Sequence, residues 1–282
     1  MVSRASTGWR LALAVALAAC GTAHDSSPAP LPDATPEAGP AANPDASDAS
    51  NTDPAFVDAG GADAADAAAC NVINIGILGN PGANASSNFQ QWLTKAGTTV
   101  QRIQTTANDP LTAQSLAPFN VIVLDHLPRA YGPAEAAVVK AFVEAGGGLV
   151  SMTGYVNNNA DWYANPLIAT LGVNYSGALI DGPVTAFVPH PITQGLTSVT
   201  FLGGYAVTTT GASNNTRTPI ASLPEGNIAF AVQASAGRAF VWGDEWIEFD
   251  SEWNTIPEIK SLWVNIFGWV APTGCPLVPP PN

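Results

Sequence analysis

A break in composition at residue 70 restricts where this chain can fold. Between Gly21 and Ala69 there is no Lys or Arg, nine Asp or Glu, seven Pro and one aromatic residue, Phe56. Such a stretch has too little apolar surface to offset the entropy of ordering its backbone, so residues 21–69 read as a disordered Ala/Pro/Asp-rich linker. Its prolines and like charges extend it; at roughly 5–6 Å × √n its length corresponds to some 40 Å. A packed core has to come from residues 70–275, with 276–282 a Pro-rich tail. The net charge of −13 leaves no basic face with which to displace counterions, which excludes an electrostatically driven nucleic-acid binder. With 11% charged residues and 26 Gly and 24 Pro, coiled coils and helical bundles are excluded as well.

Residues 1–20 read as an export signal. Arg4 and Arg10 form its basic end, and Leu11 to Ala19 is an unbroken apolar run. As a helix that run spans about 14 Å, too short for a hydrocarbon core of about 30 Å. Its last residues, Leu17-Ala18-Ala19-Cys20, resemble the lipobox of bacterial lipoproteins. The resemblance implies that Cys20 is lipidated, becomes the mature N-terminus and anchors the protein to a membrane. Gly21 rather than Asp after it implies the outer membrane and the cell surface. The alternative is an ordinary signal in which Cys20 is incidental. With Cys20 lipidated, two thiols remain, and Cys70 and Cys275 bracket the domain. Their pairing would close a loop of about 205 residues and contribute on the order of 4–5 kcal/mol on the chain-entropy model. Two buried free thiols are the alternative.

From residue 71 onward short apolar runs alternate with helical patterns. Asn71–Leu78, Thr99–Ile103, Phe119–Leu124 and Leu149–Met152 read as strands. Asn88–Lys95, capped by Ser86 or Ser87, reads as a helix, and so does the segment opened by Gly132-Pro133, with Val139, Phe142 and Val143 on its buried stripe. This alternation predicts a parallel sheet covered on both faces. The second half predicts strands at Pro183–Val188, Val199–Val207, Thr218–Ser222, Asn227–Gln233 and Arg238–Trp242, the last two joined as a hairpin. A final helix is predicted from a capping box at Thr255 and Glu258, with Pro257 in its first turn and Ile259, Leu262, Trp263, Ile266, Phe267 and Val270 on one face.

Four segments in order, Phe119-Asn-Val-Ile-Val-Leu-Asp-His126, Phe142-Val-Glu-Ala-Gly-Gly-Gly-Leu-Val150, His190-Pro-Ile-Thr-Gln-Gly-Leu196 and Gly237-Arg-Ala-Phe-Val-Trp-Gly-Asp-Glu245, resemble the class I glutamine amidotransferase-like superfamily, in particular its trehalose-utilisation-like and uncharacterised branches. The likeness covers most of residues 71–273. It implies an α/β, flavodoxin-like three-layer sandwich with a mainly parallel sheet and an added β-hairpin region. Enzymes of that superfamily carry a nucleophilic cysteine at an elbow after a strand, where a strained turn and a helix N-terminus expose the thiolate. The matching stretch here, Ser151-Met-Thr-Gly-Tyr155, has none. Thr153 or Ser151 would have to substitute, and a hydroxyl without an adjacent base is a poor nucleophile. The resemblance therefore implies a scaffold that binds rather than catalyses.

Open parallel sheets bind ligands at the carboxyl ends of their strands, which nominates Asn80, Asp125, His126, Thr153, Tyr155, Asp244 and Glu245. Asp125 and His126 are adjacent and on an extended strand would face opposite ways, so they make no ready dyad. His190 is a further catalytic candidate, explained equally well by a structural turn. Trp242–Trp253 gathers five acids with Trp242, Trp246, Phe249 and Trp253. Like charges so close call for solvent, raised pKa values or a neutralising ligand. Carboxylates beside aromatic faces suit sugar binding, which adds Trp246, Glu248 and Trp253 to the ligand candidates. A solvated acidic loop with its tryptophans folded into the core is the plainer alternative. The acids match no EF-hand spacing, and neither a metal nor a cofactor is expected. Asn157–Tyr163 is a second polar–aromatic patch that could line the same cleft. The leading expectation is a surface lipoprotein binding a glycan or other polar ligand. The alternatives are a glycoside or ester hydrolase using the acidic loop or Thr153, and a structural or partner-docking module.

Overall fold

A computed structural model describes residues 72–81, 85–154, 162–256, 258–273, 275 and 277. The export signal, Cys20, the linker, Cys70 and Tyr155 lie outside the described residues. Among the described residues no helix is long and apolar enough to cross a membrane.

The chain runs β1 (Asn74–Leu78), α1 (Ser87–Lys95), β2 (Thr99–Ile103), α2 (Ala113–Leu116), β3 (Val121–Leu124), α3 (Pro133–Glu144), β4 (Gly148–Ser151), α4 (Asn165–Ile168), β5 (Val173–Val184), β6 (Ala186–Phe187), β7 (Val199–Thr209), β8 (Thr216–Leu223), β9 (Gly226–Ala234), β10 (Gly237–Trp242) and α5 (Ile259–Val270). Eight strands form one sheet in the order β2-β1-β3-β4-β10-β9-β8-β6. β2, β1, β3, β4 and β10 run parallel; β9, β8 and β6 extend the sheet antiparallel. β5 and β7 form a separate two-stranded antiparallel ribbon. This is a flavodoxin-like three-layer α/β fold with an added antiparallel region.

Strand periodicity assigns the two faces. Ile75, Ile77, Val121, Val123, Val150, Phe240 and Trp242 point into one core, shared with Phe89, Trp92 and Leu93 of α1 and the stripe of α5. Leu78, Ile122, Leu124, Leu149, Ala239 and Val241 point into the other, shared with Ala136, Val139 and Val143 of α3 and Leu167 and Ile168 of α4. All six predicted stripe residues of α5 are buried, each contributing about 1.5–3 kcal/mol before entropy is counted. Trp263 packs its ring 4.4 Å from that of Phe89 and donates its indole N–H to the Ile247 carbonyl at 2.8 Å.

Three local expectations are corrected. The Thr255–Glu258 capping box does not form. α5 starts at Ile259, and Glu258 instead accepts from Thr197 N–H, Ser198 N–H and the Thr197 hydroxyl. Neither Ser86 nor Ser87 caps α1; Asp250 does, accepting from Asn88 N–H at 2.7 Å and the Ser87 hydroxyl at 2.6 Å. A carboxylate satisfies an orphan N–H and complements the helix dipole, and here it arrives from 162 residues away. Finally, the strand predicted at Pro183–Val188 is the end of a much longer one, β5, followed by the short β6.

Candidate functional site

The strand order β2-β1-β3-β4-β10 places the reversal of winding between β1 and β3, where open α/β sheets leave a crevice beyond the strand ends. Four parallel strands deliver their next residues to that edge. β1 runs into Gly79-Asn80, β3 into Asp125-His126, β4 into Met152-Thr153-Gly154, and β10 into Gly243-Asp244-Glu245. They surround a cavity of about 280 Å³, lined by Asn80, Asp125, His126, Thr153, Tyr163 and Glu245 among others.

Two close approaches shape it. Gly79 has φ +119°, and a Cβ there would run into the carbonyl oxygens of Asp125 and His126. Only glycine lets the β1 loop fold onto the end of β3, where Asn80 N–H donates to the His126 carbonyl at 3.0 Å. A Cβ on Gly154 would overlap the side chain of Glu245, so the glycine of the elbow is what admits that carboxylate.

Asp125 and His126 both line the cavity, contrary to the expectation of opposite faces. β3 ends at Leu124, so strand alternation no longer governs them. Asp125 is buried and meets Arg102, whose Nη1 lies 2.6 Å from Oδ2. The same Nη1 donates to the carbonyls of Asn80 at 2.9 Å and Gly79 at 3.2 Å. Arg102 thus ties β2, the β1 loop and the end of β3 together. Nothing in the sequence singled it out beyond a lone base in an apolar strand.

Glu245 reaches toward His126, with 3.9 Å between Oε2 and Nδ1. The neighbouring Glu245 carboxylate raises the His126 pKa above its ordinary value, against the opposing effect of burial. Asp244 and Glu248 do not line the cavity; both are fully buried. Asp244 accepts from Leu202 N–H at 2.7 Å and Trp246 N–H at 3.0 Å, and burial pushes its carboxyl up to about 7 despite those bonds. Glu248 is pushed well above the usual carboxylate range by burial first and by the neighbouring Asp125 second.

The tryptophans of the acidic segment turn away from the cavity. Trp242 and Trp253 are in the core, Trp253 edge-on to Trp92 and tilted against Phe89, while Trp246 packs on Phe249. Burying indole area outweighed presenting it to solvent, so none of these three tryptophans lines this cavity. The polar–aromatic patch after the elbow contributes Tyr163; its residues 157–161 lie outside the described residues.

His190 is remote from the site. It caps a 3-10 turn over Pro191–Thr193, its Nδ1 accepting from Ile192 N–H at 3.1 Å, and its ring meets Trp269 edge-on. Ser151 is fully buried and shares a 2.7 Å hydrogen bond with the Tyr175 hydroxyl, which pins the β5–β7 ribbon to β4. Thr153 is the elbow hydroxyl that lines the cavity. Among the described residues no group of three or more His, Cys, Asp or Glu is arranged to hold a metal ion.

No protein-family model and no curated protein sequence matches this chain. Solved structures do. Cytoplasmic Protein STM1381 from Salmonella typhimurium LT2 superposes with a TM-score of 0.53 at 15% identity, over 71% of this chain and 100% of its own. The mmIFT52 N-terminal domain does so with a TM-score of 0.57 at 14% identity, over 70% of this chain and 96% of its own. A ThuA-like protein from Bacteroides uniformis has a TM-score of 0.46 at 17% identity, over 73% of this chain and 94% of its own. At such identities the first two likenesses establish a shared α/β fold and say nothing about activity.

Proposed function

We propose that this chain is a lipid-anchored cell-envelope protein whose α/β domain binds a small polar ligand in the cavity at the ends of β1, β3, β4 and β10. The observation that carries this reading is the convergence there of Asn80, Asp125, His126, Thr153, Tyr163 and Glu245, all six polar or charged. A volume of about 280 Å³ lies at the small end of ligand pockets, which span roughly 300–1,000 Å³, so a monosaccharide-sized polyol fits the reading better than a long glycan. Glu245 accepts from hydroxyls, and Tyr163 is the ring available for an apolar sugar face.

The domain is amidotransferase-like without the nucleophile. Thr153 stands at the elbow, and no cysteine is among the residues lining the cavity. Binding without turnover follows from that exchange. Lipidation at Cys20, an acidic spacer over residues 21–69, and a Cys70–Cys275 bridge complete the proposal. Cys275 is buried just beyond α5, at the place where such a bridge would tie down the end of the domain.

Calorimetric titration of the full chain with a panel of monosaccharides, amino sugars and polyols tests this. Binding by at least one, weakened tenfold or more in Glu245→Gln, supports it. Absence of binding throughout overturns it in favour of a structural role. Turnover of a chromogenic ester or glycoside that vanishes in Thr153→Ala overturns it in favour of a hydrolase.

A further inference from the structure

The least explained group in the molecule is the carboxyl of Glu248. It is fully buried, and no described donor reaches either of its oxygens. Its neighbour is another carboxyl, Asp125, within hydrogen-bonding reach. Asp125 takes Arg102 on Oδ2, while its Oδ1 is buried and also receives no donor from the described residues. Nη1 of Arg102 is already committed to Asp125 and to the Gly79 and Asn80 carbonyls, and its buried Nε is bonded neither to Glu248 nor to any other described acceptor. Two buried carboxylates against one such cation would leave a charge uncompensated in the core, at a cost of several kcal/mol.

We propose that Glu248 is a buried proton site: its carboxyl donates to Oδ1 of Asp125, and this proton keeps the Arg102 clamp on the Gly79–Asn80 loop closed. One proton pairs two of the three orphan oxygens at once, with Glu248 Oε–H donating and Asp125 Oδ1 accepting. The chain of contacts then runs from Glu248 to Asp125, from Asp125 to Arg102, and from Arg102 to the two carbonyls at the rim of the cavity. Charged groups acting on Glu248 are Asp125 from the end of β3, Arg102 from β2 and Glu245 from its own segment. Two of the three are acidic and oppose its ionisation. Burial acts in the same direction. Loss of the proton places like charges side by side in a dry site, and the loop held by the guanidinium is the part free to yield.

Infrared spectroscopy and hydrogen exchange on the full chain test the proposal. At neutral pH Asp244→Asn, which removes the other raised carboxyl, is expected to keep a protonated-carboxyl carbonyl band that is lost when Glu248→Gln is added to it. The protection factor of the 76–81 amides, taken against the intrinsic exchange rate at each pH, is expected to fall tenfold or more over the alkaline range in which that band disappears. In Glu248→Gln, whose amide still donates to Asp125, the protection factor should hold across that range. If the Gln variant fails to fold, the band in Asp244→Asn and the exchange profile of the wild type decide the matter. Absence of the band in Asp244→Asn at neutral pH, or a 76–81 protection factor that does not fall as the band disappears, overturns the proposal.

Discussion

Nη1 of Arg102 sits 2.6 Å from Oδ2 of Asp125, and the pair joins two strands whose residues are separated by β1 in the sheet. Together with the Arg102 bonds to the Gly79 and Asn80 carbonyls, this contact holds the β1 loop against the end of β3. The side chains of Arg102 and Asp125 are 12% and 1% exposed, so solvent screens the pair little.

Arg102→Met should therefore lower unfolding stability by roughly 3–5 kcal/mol, the usual cost of stranding a buried partner. Arg102→Lys should recover only part, because its ammonium is a more strongly hydrated point charge than the delocalised guanidinium and costs more to bury. Urea denaturation monitored by tryptophan fluorescence measures both. Equal stability of the Met variant and the wild type would show that the clamp is dispensable.

His126 should titrate above its ordinary value in the wild type and fall toward it in Glu245→Gln, since Glu245 is the main cause of the shift. The stabilising contribution of this pair is present below the ordinary histidine value and is lost as pH rises through the raised one. Histidine-ring NMR resolves it among three histidines. A His126 titration unchanged by the substitution would mean that the two side chains do not interact in solution.

Asp244 has a folded-state pKa of about 7 against an ordinary 3.8. Its contribution to stability is complete below pH 4 and drains away as pH rises through about 7, with a limiting slope of about 1.4 kcal/mol per pH unit. The difference in stability between wild type and Asp244→Asn should thus vary between pH 4 and 7 and level off above. Denaturant titrations at intervals of one pH unit check the sign; a difference that is flat with pH refutes it.

Gly79→Ala should cost roughly 3 kcal/mol or more, combining a left-handed backbone with a collision against two carbonyls. Thermal unfolding reads the loss. A change below about 1 kcal/mol would imply that the β1 loop can rearrange freely.

Peptide mapping under non-reducing conditions should recover the segments around Cys70 and Cys275 as one linked species. Reduction should then destabilise the domain by up to about 4–5 kcal/mol, following the entropy of a loop of about 205 residues. Recovery of the two segments separately from oxidised, exported protein would exclude the bridge.

The parallel half of the sheet was legible because its signals are local. β2 coincides with the predicted Thr99–Ile103, and β1, β3 and β4 fall within two or three residues of their apolar runs. Strands covered on both faces must be apolar throughout, and glycine turns punctuate them. The first part of β5 was missed because Asn174, Ser176 and Gly177 interrupt its apolar pattern in a ribbon that lies off the main sheet. Capping at α1 and α5 was misread for a related reason: Asp250 and Glu258 bond to partners 162 and 61 residues away, which no sequence window contains.

At the site, position along the strand was legible and side-chain direction was not. Of the seven residues selected by the rule that ligands gather at carboxyl ends, Asn80, Asp125, His126, Thr153 and Glu245 line the cavity, Asp244 is buried outside it, and Tyr155 lies outside the described residues. The interleaving of acids with aromatics added Trp246, Glu248 and Trp253, and none of these three lines it. Sequence by itself determined which residues reach this edge of the sheet, because strand ends follow from periodicity and glycine punctuation. Only the tertiary structure decided which acids face the cavity and which are sealed beneath it. Burial, hydrogen-bond supply and the sign of the neighbouring charge depend on packing between segments more than a hundred residues apart, and those energies outweigh any preference encoded within one loop.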